Sequence, residues 1–250
     1  MSAKTTGWLN RVQTDVLARR YFAIWCGDPK SLGFLCFQPV AVASCAGIIW
    51  QGTTPDERLY FILSFSAIFF GCVNACREIV KERAIFLRER LVNIEIPAYV
   101  ASKAWVLAQL GFLQTLLFYV GCRYFLVLEG FPPLFVLVLY TGVLAGTALG
   151  LFLSALVRSD VVALGLVPVV LVPQLLFSRL ILPTRALEGP VAWLEQTTLA
   201  KWGFKALEVV VAADPAWFEL IKSLGALLGL GAVLLLATGL TIKWREVWDA

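Results

Sequence analysis

The sequence of 250 residues contains no histidine. Histidine is the usual general base near neutral pH and the commonest metal ligand, so its absence argues against a histidine-based hydrolase and a zinc site. Charge is also scarce: Asp, Glu, Lys and Arg make up 15% of the chain, against about 25% in a soluble domain. Hydrophobic residues make up 60%, and the mean hydropathy is +0.81. This composition excludes an ordinary soluble domain and predicts a membrane protein.

A phosphate-binding loop is missing too, since no stretch matches G-x-x-x-x-G-K-[ST] and no Gly-Lys pair occurs. We therefore expect no ATP binding by these residues. The six cysteines predict small packing residues and no disulfide framework, and without histidine Cys72 and Cys76 make a poor metal site. Residues 1–31 lack the short apolar core and cleavage site of a signal peptide.

Six uncharged apolar runs are long enough to cross a membrane, which takes about 20 residues. These runs are Leu32–Trp50, Leu59–Cys76, Ala104–Cys122, Leu134–Val157, Val161–Ser178 and Ser223–Ile242. They predict six transmembrane helices, and an even number places both termini on the same side.

The distribution of basic residues predicts which side that is. With the termini inside, 14 of the 21 Lys and Arg residues fall on the inner side, and the two short outer loops hold only Arg58 and Arg123. Inner loops of membrane proteins carry the excess of Lys and Arg. We therefore expect a multi-pass protein of the plasma (inner) membrane with both termini in the cytoplasm.

Two further segments are too apolar for solvated loops and too charged to span a membrane. In residues 1–31, Trp8, Val12 and Val16 follow helical spacing ahead of Arg19 and Arg20, which predicts an amphipathic helix on the inner membrane surface. The second segment, Arg179–Lys222, has 44 residues and several aromatic side chains. It predicts helices that dip into the outer interface of the membrane, where aromatic residues concentrate.

Between the second and third runs lies REIVKERAIFLRER, Arg77–Arg90, which we call the charged segment. Val80, Ala84, Leu87 and Leu91 recur at helical spacing there, and no Gly or Pro interrupts residues 77–96. The pattern predicts a continuous helix that extends the second span into the cytosol. Charges of both signs favour pairing with a protein over binding to anionic lipid. The alternative interpretation is an ordinary solvated loop.

The chain resembles the type 2 ABC permeases, above all the G subfamily of ABC exporters. The resemblance is carried by Glu82-Arg83-x-x-Phe86-x-Arg88-Glu89, followed by Ala98-Tyr99 and Lys103, and by the stretches LARRYFAIWCGDPKSLGFLCFQP, PVVLVPQLLFSRLILP and WLEQTTLAKWGFKAL in the same order. It implies an all-α membrane protein with a connecting helix in residues 1–31 and a six-span domain in residues 32–250. A coupling helix at 77–96 and re-entrant helices at 179–222 complete this fold. The chain departs from the pattern at residues 92–94, where the family usually has a Gly-Tyr turn, and at Arg77, where a carboxylate is common.

The resemblance also implies a function, namely the membrane subunit of an ATP-driven exporter that works as two copies or with a homologous permease. A nucleotide-binding subunit would bind ATP and Mg²⁺, so this chain would need no cofactor of its own. The resemblance gives the coupling role to five residues: Glu82, Arg83, Phe86, Arg88 and Glu89. Their helical spacing puts Glu82, Phe86 and Glu89 on roughly one face, which we expect to meet the partner, whereas the Val80–Leu91 stripe packs internally.

Polar residues inside the spans are candidates for the substrate path, because burying them in lipid is costly. The cargo is expected to be lipidic or amphipathic, because the path is otherwise aromatic and apolar. We assign Phe69, Phe70, Asn74 and Gln174 to that path. Lys103 is expected to extend its ammonium to the inner membrane face. Alternative functions are a permease for lipid-linked glycans, an intramembrane lipid-modifying enzyme and a membrane scaffold. We expect membrane lipid and no nucleic acid among the partners.

Overall fold

The computed structural model describes residues 11–90, 94–178, 190–212 and 216–249. Ten α-helices and no strands occur in this part of the chain. The helices are α1 (Arg11–Cys26), α2 (Pro29–Trp50), α3 (Glu57–Ala75), α4 (Arg83–Arg90), α5 (Ile96–Phe125), α6 (Pro132–Leu156), α7 (Asp160–Leu176), α8 (Pro190–Thr197), α9 (Leu199–Val211) and α10 (Trp217–Asp249).

Five of these helices, α2, α3, α5, α6 and α10, are long and apolar enough to cross a membrane. The sixth predicted span corresponds to α7, which has 17 residues and contains Pro168 and Pro173. That length lies at the lower limit for a transmembrane helix. Residues 179–189, which follow it, lie outside the described part of the chain. The chain is a multi-pass membrane protein whose described part is all-helical, and a sixth span stays a prediction.

Two aspartates define where α2 and α3 begin. Asp28 accepts hydrogen bonds from the Ser31 backbone N–H (3.3 Å) and hydroxyl (2.6 Å), and Pro29 occupies the first turn, where its missing N–H costs nothing. Asp56 accepts from the Leu59 N–H (3.0 Å) and from the Trp50 indole N–H (2.9 Å). Asp56 thereby joins the end of α2 to the start of α3.

The centre of the bundle is the crossing of α3 and α6, where the two backbones touch. A Cβ atom at Gly146 would lie 2.0 Å from the carbonyl oxygen of Ile68, and one at Gly71 would lie 2.0 Å from that of Val143. Small residues allow such close approach between membrane helices. The other helices pack around this pair, α2 on α5 and α10 on α6.

Different helices meet at the two ends of the bundle. At one end, which we call the charged end, the charged segment meets α1, the start of α5 and the ends of α6 and α10. There Arg245 of α10 donates to the carbonyl oxygens of Leu156 and Val157 after α6. At the opposite end, α9 packs against α3, α6 and α10, and Lys205 of α9 is ion-paired with Glu219. Helices α8 and α9 lie where we predicted helices before the last span, and their depth in the membrane stays a prediction.

Candidate functional site

The charged segment leaves α3 as a series of turns and then forms a short helix. α3 ends at Ala75, residues 76–82 form turns, and α4 covers only Arg83–Arg90. The predicted continuous helix from Arg77 through residue 96 is therefore wrong.

A contact with α6 explains the interruption. The Ser154 hydroxyl oxygen accepts hydrogen bonds from the backbone N–H groups of Ile79 (2.9 Å) and Val80 (3.0 Å). In a continuous helix these two N–H groups would bond to carbonyls four residues earlier. Ser154 is 1% exposed, so the contact also fixes the charged segment to the interior of the bundle.

The inward face of α4 carries the aromatic residue that we expected to meet a partner. Phe86 is 5% exposed, and its ring lies 4.5 Å from that of Tyr99 on α5. By contrast, Ile85 and Leu87 are 50% and 42% exposed, and Ala84 and Arg88 are exposed as well. The predicted assignment of faces is thus reversed, because the turns at 76–82 change the rotation of α4 relative to α3. We call Ala84, Ile85, Leu87 and Arg88 the outer face of α4.

The two glutamates predicted to contact a partner are instead ion-paired within the chain. Glu82 lies 2.6 Å from the ammonium of Lys103 on α5. Glu89 accepts two hydrogen bonds from the Arg20 guanidinium of α1, one of them at 3.1 Å, and this bonding raises the pKa of Arg20. Arg83 is half-buried in a cleft that it lines together with Arg245.

Lys103 was predicted to extend its ammonium to the inner membrane face, but its side chain is enclosed by the protein. Lys103 is 1% exposed, and its ammonium lies 3.5 Å from the centre of the Tyr21 ring as well as beside Glu82. The Tyr21 hydroxyl donates to Glu78 at 2.5 Å. Burial and the Glu78 carboxylate raise the pKa of Tyr21 well above its ordinary value, so Tyr21 stays protonated and able to donate at neutral pH. We call Tyr21, Glu78, Glu82 and Lys103 the buried junction.

The predicted path residues are only partly available to a substrate. Phe70 is fully buried, and its ring packs edge-on against Phe118 at 5.0 Å, so it belongs to the core of the bundle. The Asn74 side chain donates to Gln114 at 2.7 Å. The Gln174 side chain accepts from the Leu199 N–H at 3.1 Å and so satisfies a backbone group at the start of α9.

Phe69 and Asn74 lie half-buried on α3, whereas the other two members of the predicted path are held by packing or capping contacts. Gln174 is half-buried as well, so three of the four predicted path residues keep some exposed surface and Phe70 keeps none.

Comparison with known protein families decides the identity of the chain. The sequence model of the ABC-2 type transporter family matches residues 12–211, which include the charged segment and the helices that hold it. This chain belongs to the ABC-2 type transporter family.

Two relatives of this ABC-2 transporter chain carry names that fit the family. The ABC transporter ATP-binding/permease protein Rv1747 of Mycobacterium tuberculosis is 32% identical over 234 residues, which cover 84% of this chain and 26% of the relative. ABC transporter G family member 17 of Arabidopsis thaliana is 29% identical over 123 residues, which cover 44% of this chain and 19% of the relative. The chain thus aligns with about a quarter and a fifth of the lengths of these proteins.

Sequence reasoning missed three members of the site in this ABC-2 protein: Tyr21, Glu78 and Ser154. Glu78 lay within the charged segment but had no pattern to separate it from its neighbours. Tyr21 follows Arg20 on the buried side of α1, next to Leu17 and Ala18. The helical spacing of these buried residues could have indicated a packed face there. A serine within an apolar helix carries no such signal.

Proposed function

We propose that this chain is the permease subunit of an ATP-driven exporter, whose charged end receives the movement of a nucleotide-binding ATPase. One observation carries this proposal. The charged segment is held to α1, α5 and α6 by Glu89, Glu82 and its backbone N–H groups, so it is a fixed part of the bundle and not a loose loop.

The outer face of α4 is the surface proposed to dock on the ATPase. Ile85 and Leu87 expose apolar side chains beside Arg88. An apolar centre beside a charged side chain is a common composition for a protein interface, where the apolar groups supply affinity and the charges set the orientation. Family membership supports an ATPase as the occupant.

ATP and Mg²⁺ are proposed to bind outside these residues, because no phosphate loop occurs among them. We place them on a separate nucleotide-binding subunit. The mycobacterial relative is named as both ATP-binding and permease, and the matched region covers 26% of it. A test with added subunits therefore has to distinguish a partner polypeptide from a domain of the same polypeptide.

Two copies of the chain, or one copy and a homologous permease, are proposed to form the pathway by alternating access in the inner membrane, with both termini cytoplasmic. A lipidic or amphipathic cargo is proposed to contact Phe69 and Asn74, which are half-buried on α3. A lipid-linked glycan is the alternative cargo. The same architecture would serve either cargo, since a lipid and a lipid-linked glycan both have a lipid tail.

The test is ATP hydrolysis and transport by purified protein in proteoliposomes that contain fluorescent phospholipid. We expect no hydrolysis by the 250-residue chain alone, and ATP-dependent phospholipid movement once its nucleotide-binding subunit is added. A non-hydrolysable ATP analogue is the control and should abolish movement. Hydrolysis by the chain alone would contradict the proposal. Hydrolysis with the added subunit but without phospholipid movement would show that phospholipid is not the cargo and would leave the permease role standing.

A further inference from the structure

The buried junction places one ammonium group between three separate elements. Lys103 belongs to α5, its ion-pair partner Glu82 to the charged segment, and the ring below it, Tyr21, to α1. Lys103 is 1% exposed and the Glu82 side chain is 12% exposed, so the ammonium is shielded from bulk water and the carboxylate is largely shielded. A buried ion pair adds little net stability compared with an apolar pair of the same size, but removing one partner is costly. A role beyond stability would explain why these buried residues are charged.

No continuous helix joins α4 to α3. α3 ends at Ala75, and seven residues of turns separate it from α4. A push on α4 therefore cannot pass along a single helical rod. Besides the chain that leads from α4 to α5, side chains that bridge these turns to other helices connect the charged segment to the bundle.

Within the part of the chain that the structure describes, the Lys103–Glu82 pair joins the turns to the membrane-crossing helix α5 through a fully buried ammonium and a largely buried carboxylate. Ser154 links the turns to α6 by two hydrogen bonds to backbone groups. Arg20 links α4 to α1, which precedes the first span. α5 has 30 residues and runs from the charged end to the opposite end, so a rotation at Lys103 reaches the far side of the bundle.

We propose that Lys103 is the positioning residue that joins the charged segment, α1 and α5 into one moving body, so that displacement of α4 by the ATPase moves the far end of α5. This inference rests on the proposed function. It assigns Lys103 no contact with substrate or nucleotide, and its role is to transmit a position through Glu82.

The test measures movement at two places in the assembled transporter. Spin labels are attached at Lys81 in the charged segment, away from the outer face of α4, or at Val120 near the far end of α5, in a functional cysteine-free background in nanodiscs with the nucleotide-binding subunit. Both positions are exposed. Each label reports its distance to the same label in the second copy, without nucleotide and with a non-hydrolysable ATP analogue.

We expect ATP to shift both distances in the unmodified chain. In Lys103→Met, the shift at position 81 should remain and most of the shift at position 120 should be lost. Lys103→Arg keeps the charge and should retain both shifts. The double variant Lys103→Met/Glu82→Gln removes the unpaired buried charge, so it should recover stability without recovering the movement at position 120.

The double variant separates a positioning role of Lys103 from a purely structural one. If the role were purely structural, the movement at position 120 would return together with stability. Should the Met variants fail to assemble, Glu82→Gln, which breaks the ion pair and keeps Lys103, should show the same selective loss at position 120. Normal movement at position 120 in the double variant or in Glu82→Gln would overturn the inference. Absence of any ATP-dependent shift at position 81 in the otherwise unmodified chain would instead contradict the proposed function.

Discussion

At the residue scale, the buried side of α4 determines what its residues can do. Phe86 packs on Tyr99 and is 5% exposed, whereas its neighbour Leu87 is 42% exposed. One residue thus contributes to the interior and the next to the surface, although both are large and apolar.

We predict that Phe86→Ala destabilises the protein by about 3–5 kcal/mol, because it removes a buried aromatic ring and leaves a cavity. The matched variant Leu87→Ala should change the free energy of unfolding by less than about 0.5 kcal/mol. Denaturant unfolding in detergent measures both. Equal stability of the two variants would show that Phe86 is not buried in the protein.

Tyr21→Phe is predicted to lower stability by about 1.5–3 kcal/mol at neutral pH, because the Glu78 carboxylate loses a hydrogen-bond donor. The pKa of Tyr21 is raised in the folded state, so its contribution is complete below the unfolded value of about 10. That contribution is lost as the pH rises from there through the raised pKa.

The difference between the unmodified chain and Tyr21→Phe should therefore shrink above that pH, as followed by thermal unfolding between neutral and strongly alkaline conditions. The control is Tyr124→Phe, since Tyr124 is exposed and should show no such difference. A difference that is constant across the whole range would contradict the buried, protonated Tyr21.

At the element scale, the close crossing of α3 and α6 sets the geometry to which every other helix adapts. Backbone atoms, not flexible side chains, would meet a new Cβ at Gly146. Neither helix can yield there without moving as a whole.

Gly146→Ala should consequently cost at least about 1–3 kcal/mol, the usual penalty of overpacking. Gly225→Ala on α10 is the matched control, because no atom lies within 4 Å of its added Cβ. Alanine also favours a helix over glycine, so Gly225→Ala should be neutral or slightly stabilising. The comparison uses thermal unfolding in detergent, and a tolerated Gly146→Ala would mean that the two helices are further apart than described.

The helices could be predicted from the sequence wherever the length of an apolar run is enough to identify a transmembrane helix. The predicted run Leu134–Val157 corresponds to α6, Pro132–Leu156, and Leu32–Trp50 corresponds to α2, Pro29–Trp50. The interruption at residues 76–82 could not be predicted, because its cause, Ser154, lies 75 residues from Ile79 in the sequence.

The candidate site shows the same limit. The composition of the charged segment was enough to predict where the site lies. Which of its side chains face inward depends on contacts with other helices, and the sequence does not show those contacts. Lys103 and Glu82, for example, pair across two elements, and no local pattern indicates that both are buried. The predicted faces were derived from a continuous helix over residues 77–96, and the chain does not form that helix.

At the scale of the whole molecule, the positive-inside distribution predicts that the charged end is cytoplasmic. The opposite end carries Glu208 on α9, which is exposed, and position 88 is exposed at the charged end. In a cysteine-free background, Glu208→Cys should react with a membrane-impermeant maleimide from outside intact cells, and Arg88→Cys only after permeabilisation. Position 185, which would also have reported the outer side, lies outside the described residues. The reverse labelling pattern would contradict the topology.

The central claim is that the outer face of α4 docks on a nucleotide-binding ATPase, and site-specific photo-crosslinking tests it most directly. A photoreactive amino acid at Ile85, which is 50% exposed, should yield a covalent adduct with the ATPase in membranes. The same probe at Glu129, exposed at the opposite end, is the control and should yield none. The account predicts an adduct at position 85 alone. An adduct at position 129, or the absence of one at position 85 in a complex that hydrolyses ATP, would contradict it.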